Sequence, residues 1–314
     1  MRTRDAKHML RSTIVLLTAV VAPLASAGPG FTEWSTATNL GDPLNSAFNE
    51  TGPALSRDGL SLYFTSDRPG GFGGNDIWVA QRDSLEDPWR APANLGPVVN
   101  TAFNEAVPAF SRDGHLMFFN SNRPGGFGNA DIWVASRVHK RDDFGWETPI
   151  NAGPGVNGAA ADAAATFLET GEGTALLFFG SDRNGAPGLF DIYVSEGDAD
   201  GSWSPAVLVP DLSSPLSDQR PSIRFDGLEM FLYSNRAGTS GPSDIWVSTR
   251  STPREPWLTP FGLDAAVNSP FNDIQAFIGA DRTTLVFASD RPGGSGRFDL
   301  YVSTRVRQGG SGGE

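Results

Sequence analysis

Short apolar runs recur along the chain and are separated by turn-forming residues. In one stretch the runs are Ala106–Phe110, Leu116–Ser121 and Asp131–Ser136. An Asp-Gly pair, typical of a tight hairpin turn, lies between the first two, and a glycine-rich loop precedes the third. Trp146 begins a fourth segment. Because short apolar runs bounded by Gly and Asp are typical of strands, we predict four antiparallel strands, a to d, in this stretch.

The same frame returns five times, at a spacing of about 55 residues. Three markers recur in step: an aspartate before strand c, a tryptophan before strand d, and an arginine after strand b. The aspartates are Asp76, Asp131, Asp191, Asp244 and Asp299. The tryptophans are Trp34, Trp89, Trp146, Trp203 and Trp257. The arginines are Arg68, Arg123, Arg183, Arg236 and Arg291. Four-stranded units repeated in this way are the signature of β-propeller blades.

The two ends of the repeat region complement each other. Trp34 to Leu40 is a d segment without a blade of its own, and the last blade, which ends near Arg305, lacks its outer strand. Pairing these segments would close the ring and remove an exposed sheet edge. We therefore predict an all-β fold, a five-bladed β-propeller of four-stranded antiparallel blades, over residues 28–306.

The first 27 residues do not fit the repeat. A basic start precedes an apolar run from Thr13 to Leu24, and small residues follow up to Ala27. This is the pattern of a cleaved signal peptide, so we expect a bacterial protein that is periplasmic or secreted. No second run of this kind follows, so no membrane span is expected. Residues 307–314 form a Gly/Ser tail that we expect to be disordered.

Composition excludes several functions. Acidic residues outnumber basic ones, 36 to 24, and the net charge of −12 disfavours binding to nucleic acid phosphates. The chain has no cysteine, so disulfides, zinc-thiolate sites and thiol nucleophiles are excluded. Outside the signal segment the histidines are His115 and His139, on a turn and in a charged loop, which does not suit a catalytic triad or a multi-histidine metal site.

Each repeat has one acidic residue at the start of strand a. These residues are Glu50, Glu105, Asp162, Asp218 and Asp273. Strand a is the innermost strand of a blade, so we expect the carboxylates to ring one mouth of the central channel. Five like charges would raise one another's pKa unless a cation compensates. They are therefore candidates for a ligand-binding site, and a Ca²⁺ ion at the channel mouth is left open, although no cofactor or dedicated metal site is predicted.

The marker arginines offer a structural explanation for the same carboxylates. Arg68, Arg123, Arg183, Arg236 and Arg291 end strand b on the same face. A guanidinium can pair bidentately with a carboxylate of its own or an adjacent blade. We favour an ion-pair ring that holds blades together, and keep a ligand site or a catalytic role for the carboxylates as alternatives.

Several sequence motifs of the repeat resemble those of a known family. The segments N-L-G-x-x-V-N, P-x-x-S-x-D-G, S-D-R-P-G-G-x-G and D-I-W-V look like the WD40-like repeat of the TolB type. The resemblance covers about residues 32–306. It implies a β-propeller, often bacterial and exported, that serves mainly as a platform for binding proteins or cell-envelope components. The chain differs from TolB in having five repeats and no evident second domain.

The sequence therefore favours an exported, non-catalytic binding or scaffold propeller that recognises a protein or an envelope component through one face of the ring. No catalytic residue is assigned. The alternative is a glycoside hydrolase of the five-bladed propeller type, in which carboxylates at the channel mouth act as acid and base or nucleophile. A glycan ligand is left open under either hypothesis.

Overall fold

The computed structural model describes residues 30–170, 173–183, 185–198 and 201–308. The predicted signal peptide lies outside the described residues, as does the Gly/Ser tail beyond residue 308, so both stay predictions. The described residues form strands, turns and loops, and among them no helix is long and apolar enough to cross a membrane. Within this part of the chain, twenty strands make five four-stranded antiparallel sheets, which confirms the predicted five-bladed propeller.

The strands follow the predicted order a, b, c, d in each blade. The first strand in the chain is β1 (Thr38–Asn39). Blade 1 contains β2 (Glu50–Leu55), β3 (Ser61–Ser66), β4 (Asp76–Gln81) and β5 (Ala93–Asn94). Blade 2 contains β6 (Glu105–Phe110), β7 (Leu116–Ser121), β8 (Asp131–Ser136) and β9 (Ile150–Asn151). Blade 3 contains β10 (Asp162–Glu169), β11 (Ala175–Ser181), β12 (Asp191–Gly197) and β13 (Val207–Leu208). Blade 4 contains β14 (Asp218–Ile223), β15 (Glu229–Ser234), β16 (Asp244–Thr249) and β17 (Phe261–Gly262). Blade 5 contains β18 (Asp273–Ile278), β19 (Thr284–Ser289) and β20 (Asp299–Thr304).

The ring closes as predicted from the unpaired segments at the two ends of the repeat region. Strand β1 pairs antiparallel with β20 and becomes the outer strand of blade 5, with Thr38 opposite Val302. Each inner strand contacts the next around the ring, and β18 contacts β2. The outer strands are shorter than expected: in blade 2, Trp146 forms only an isolated bridge with Arg137, and the named strand is Ile150–Asn151.

The core lies between the blades. The middle strands carry most of the fully buried large side chains, among them Tyr63, Phe64, Phe118, Phe119, Phe179, Phe231 and Phe287. Aromatic and aliphatic residues on both faces of a strand are expected where neighbouring sheets cover both faces. The repeated apolar run of strand b therefore fixes the packing of each blade against its neighbours.

Each inner strand has a bulge at its third residue. The register shifts there in all five blades, and the backbone φ of the third residue is positive. The residues are Gly52, Val107, Ala164, Arg220 and Gln275. A bulge bends a strand and re-aims its side chains, which suits a strand that lines a narrow channel. Four of the five are not glycine, so the sequence carries no signal of this feature.

We call the side at which the inner strands begin the upper face, and the side at which they end the lower face. The upper face holds the acidic residues, the ends of strands b, and the glycine-rich loops. The lower face holds the Asp-Gly turns and the connections from strand c to strand d.

Candidate functional site

The five acidic residues lie at the start of the inner strands, at the upper mouth of the channel, and all five are fully buried. Glu50 is typical. Its carboxylate accepts hydrogen bonds from Ser46 N (2.8 Å), Ser46 Oγ (2.6 Å) and Ser66 Oγ (3.0 Å). Arg68 Nη2 completes the set at 2.9 Å. A carboxylate buried with this many donors is satisfied within the protein.

The marker arginines pair with these carboxylates inside their own blades. The pairs are Arg68–Glu50, Arg123–Glu105, Arg183–Asp162, Arg236–Asp218 and Arg291–Asp273. Arg123 Nη2 also donates to Val99 O, on the connection that arrives from the previous blade. Its guanidinium lies over the rings of Phe119 and Trp133. Burial lowers the pKa of Arg123, and the nearby Glu105 carboxylate opposes that shift.

These contacts describe a clamp on each connection between blades. The carboxylate accepts a hydrogen bond from an N–H of the connection, as Glu105 does from Thr101 N. The arginine donates to a carbonyl of the same connection, as Arg123 does to Val99 O. Each ion pair therefore lies within one blade and contacts the connection that arrives from the previous one. The ligand-binding role of the five carboxylates, and a Ca²⁺ ion among them, stay predictions.

The aspartates before strand c fix the glycine-rich loops. Asp76 accepts hydrogen bonds from Phe72 N and Gly73 N and from Asn94 Nδ2 (3.1 Å), so it joins the loop to the outer strand. Burial raises the pKa of the equivalent Asp244, while the N–H groups of Ser240 and Gly241 oppose the shift. These aspartates act in the loop turns, where short acidic side chains commonly accept backbone N–H bonds.

The side chain of Arg220 crosses the channel. Arg220, at the bulge of blade 4, reaches blade 1, where its Nη2 donates to Pro53 O at 2.7 Å. Its Nη1 is buried and has no hydrogen-bond partner among the described residues. Burial lowers the pKa of Arg220 to about 9, and no carboxylate lies against it. Next to it, Tyr233 Oη donates to Gln219 Oε1 at 2.6 Å.

Three aspartates at the ends of strands b on the upper face were not predicted. Asp67, Asp182 and Asp290 directly precede the marker arginines of blades 1, 3 and 5, where blades 2 and 4 have Asn122 and Asn235. Asp67 and Asp182 are exposed and Asp290 is half-buried. The alternation of S-D-R and S-N-R between repeats was the available signal. It breaks the symmetry of the face, as a catalytic set requires.

The three aspartates differ in their hydrogen bonds. Asp67 accepts from Asn49 N and Asn49 Nδ2, both at 2.8 Å. Asp290 accepts from the same two groups of Asn272, at 2.7 and 2.8 Å. Asp182 accepts only from Ala161 N, at 2.7 Å, because alanine replaces asparagine in blade 3. One carboxylate oxygen of Asp182 is therefore left without a donor from the described residues.

Exposed aromatic rings accompany these carboxylates. They belong to the glycine-rich loops and to the connections beside the inner strands. The residues are Phe48, Phe72, Phe103, Phe127 and Phe271, each at least 40% exposed. Flat apolar rings at a protein surface offer area for stacking against a ligand.

Metal ligands are not grouped on this face. Among the described residues, no cluster of three or more His, Asp or Glu side chains is placed to hold a metal ion. His115 lies on the lower face, where its Nδ1 is 2.9 Å from Arg137 O.

Comparison with solved structures identifies the architecture. A thermostable family-43 glycoside hydrolase matches with a TM-score of 0.56 and 15% identity, over 87% of this chain and 94% of that one. An α-L-arabinofuranosidase of Podospora anserina, solved with cellotriose, matches with a TM-score of 0.56 and 14% identity, over 89% and 98%. The native arabinanase of Bacillus subtilis matches with a TM-score of 0.56 and 12% identity, over 84% and 96%. No protein-family model and no curated protein sequence matches the chain.

These findings correct two predictions. The resemblance to the TolB-type repeat holds only as a propeller fold, since the structural neighbours are glycoside hydrolases and no repeat-family model matches. The prediction of a non-catalytic scaffold is wrong, because the comparisons favour the hydrolase alternative. That prediction relied on the similarity of the five acidic residues at the start of the inner strands. These residues are buried, and the prediction did not consider the solvent-accessible Asp67, Asp182 and Asp290. The chain has the five-bladed β-propeller fold that these glycoside hydrolases share.

Proposed function

We propose that the protein is a glycoside hydrolase that binds a glycan across its upper face and cleaves it at the channel mouth. The observation that carries this proposal is the uneven set of solvent-accessible carboxylates, Asp67, Asp182 and Asp290, at the ends of strands b on an otherwise repeated face. The shared fold with arabinanases and arabinofuranosidases supports it.

Glycoside hydrolysis needs two carboxyl groups with different tasks. One donates a proton to the leaving oxygen, and the other takes a proton from water or attacks the sugar carbon. The acidic ring cannot do this directly, because its five carboxylates are fully buried and hold their own arginines. Asp67, Asp182 and Asp290 are accessible from the solvent on this face and can contact a substrate.

The hydrogen bonds suggest which aspartate takes which role. Asp67 and Asp290 each accept two N–H donors, which fix the orientation of the carboxylate, as suits a base or nucleophile. Asp182 accepts a single hydrogen bond, so its second oxygen is available to transfer a proton to the leaving oxygen. Asp67 and Asp290 stand in neighbouring blades, and Asp182 stands in blade 3, so a sugar at the mouth would lie among them. The exposed phenylalanines would hold the flanking sugars.

The predicted export fits this function, since polysaccharides are met outside the cytoplasm. We therefore place the protein, as part of the same proposal, in the periplasm or outside the cell.

The test is release of reducing sugar by the purified full chain from arabinan, arabinoxylan, xylan and β-glucan. We expect activity on at least one of them, and a loss of about 100-fold or more in kcat for Asp182→Asn. Asp67→Asn and Asp290→Asn identify the second group. The matched control is Asp87→Asn, which removes an exposed carboxylate from a connection on the lower face. Inactive wild-type protein, or equal rates for all three aspartate variants and the wild type, would refute the proposal.

A further inference from the structure

A cavity lies at the lower end of the channel, on the face opposite Asp67, Asp182 and Asp290. Its volume is about 300 Å³. Its walls are the lower ends of all five inner strands: Leu55, Phe110, Phe167, Ile223 and Ile278. These side chains are buried in the core and hold the walls in place. The size lies in the range of small-molecule sites, which are mostly apolar with a few polar groups.

The rim of this lower cavity is charged. It contains Arg57, Lys140 and Arg141 together with Asp58 and Asp113. The aspartates serve their own turns: Asp113 accepts from Ser111 Oγ at 2.6 Å and from His115 N at 3.1 Å. Asp58 likewise accepts from Ser56 Oγ at 2.8 Å and lies 3.7 Å from Arg141.

Two rim cations, Lys140 and Arg57, have no ion-pair partner among the described residues. Arg57 Nη1 donates to a carbonyl, Arg112 O, at 3.4 Å. Arg137, deeper in the wall, is already paired with Asp143 at 3.1 Å. The rim therefore carries an excess of positive charge above an apolar floor, on a chain whose net charge is −12.

We propose that the lower cavity binds a small amphipathic carboxylate, with its apolar part among the inner-strand ends and its carboxylate at Lys140 and Arg57. A neutral apolar molecule would leave the free cations unused. A sugar would gain little from walls of Leu, Ile and Phe. An apolar acid satisfies both parts of the cavity, because burial of its tail supplies affinity and the ion pairs fix its orientation.

A tryptophan contacts one wall of the cavity. The ring of Phe110 stacks on that of Trp146, with centroids 6.0 Å apart and an angle of 21° between the planes. The Arg137 guanidinium lies 4.3 Å from the centroid of the same indole. A ligand against Phe110 should therefore change tryptophan fluorescence.

The experiment titrates the full chain with decanoate and 3-phenylpropionate, and with the alcohols of the same length. Tryptophan fluorescence and calorimetry follow binding. We expect saturable binding of one carboxylate per chain, with the matched alcohol at least about five-fold weaker. Lys140→Ala should weaken carboxylate binding about three- to five-fold and leave the alcohol unchanged, since a partly exposed ion pair contributes modestly.

Arg297→Ala is the matched control, because it removes one exposed cation from the upper face. The affinity of the Arg297→Ala variant for the carboxylate should stay within about two-fold of that of the wild type. Lys140 is exposed, so its removal should not affect folding. Three results would each overturn the proposal: no saturable binding of either acid, equal binding of acid and alcohol, or equal losses in the two variants. None of them bears on hydrolysis at the upper face.

Discussion

Arg305 and Glu229 form a bidentate ion pair across the junction between blades 5 and 4. Arg305 Nη1 donates to Glu229 Oε1 at 2.8 Å, and Nη2 donates to Oε2. Both side chains are almost fully buried, and Arg305 lies over the ring of Trp34. At the junction of blades 1 and 2, Asp143 plays a similar part: it accepts from Arg137, Ser61 and Gln81. The lower face is thus joined by buried charges that bridge blades, whereas the upper-face pairs lie within blades.

Removing one partner of this pair should strongly destabilise the fold. Glu229→Met leaves Arg305 buried without its carboxylate, and we expect a loss of about 3–5 kcal/mol in the free energy of unfolding. Chemical denaturation measures it. The control is Arg90→Met, which breaks the exposed pair with Asp83 and should cost no more than about 1 kcal/mol. Similar losses in the two variants would show that burial of the pair is unimportant.

Arg220 should behave differently from Arg305, although both are buried. It has no carboxylate partner, and its Nη1 makes no hydrogen bond to a described residue. Arg220→Met removes an uncompensated charge and one bond to Pro53 O. We expect stability within about 1 kcal/mol of the wild type, or higher. A loss as large as that of Glu229→Met would reveal a partner for this charge.

The glycine-rich loops should not tolerate a side chain where they meet the next blade. A Cβ on Gly296 would lie 1.7 Å from Phe48 O, a backbone atom of blade 1's incoming connection. We expect Gly296→Ala to lower stability by about 1–3 kcal/mol or more. Gly158→Ala, whose Cβ would meet nothing closer than 3.8 Å, is the control and should be nearly neutral. Thermal melting compares them, and equal melting temperatures would contradict the contact.

Locking the seam of the ring should stabilise it. Thr38 and Val302 are opposed in the β1–β20 pair, and the chain has no other cysteine to interfere. Directly opposed residues of antiparallel strands are close enough for a disulfide. The oxidised Thr38→Cys, Val302→Cys variant should melt at a higher temperature than its reduced form, because the bond closes a very long loop. No difference would mean that the seam opens after the rest of the propeller.

Stability in alkali should depend on Tyr233. Burial raises its pKa to about 12, although the nearby Arg220 charge opposes this shift. Between pH 10 and 12 the folded protein keeps a proton that the unfolded chain releases. The resulting stabilisation is complete below pH 10 and is lost as the pH rises through 12. The stability difference between wild type and Tyr233→Phe should therefore shrink over this range in denaturation curves. A constant difference would place the tyrosine in water.

The blade pattern could be predicted from the sequence because its marker residues make local hydrogen bonds. The aspartate before strand c and the arginine after strand b each satisfy backbone groups of their own repeat, so they recur in every copy. Strands Leu116–Ser121 and Asp131–Ser136 lie where predicted. The outer strand is later and shorter, because Trp146 packs under Arg137 instead of extending the sheet.

The candidate site was less predictable for the opposite reason. A search for residues that recur in every repeat finds those that stabilise the fold. Glu50 and its equivalents are such residues. Asp67, Asp182 and Asp290 stand out only by departing from Asn122 and Asn235 in the other blades. The crossing of the channel by Arg220 depends on a bulge with a positive φ at a non-glycine residue, for which local sequence has no signature.

The seam of blade 5 brings the two ends of the described chain together. Gln308 N donates to Gly30 O at 2.9 Å, and Phe31 forms a bridge with Arg307, both on the lower face. A short peptide could therefore join residues 30 and 308, and the chain could begin in another lower-face loop with every strand pairing kept. The position of the chain break is thus independent of the ring that the strands build, and a molecule joined at residue 30 or 308 would lie on the side that faces away from Asp67, Asp182 and Asp290.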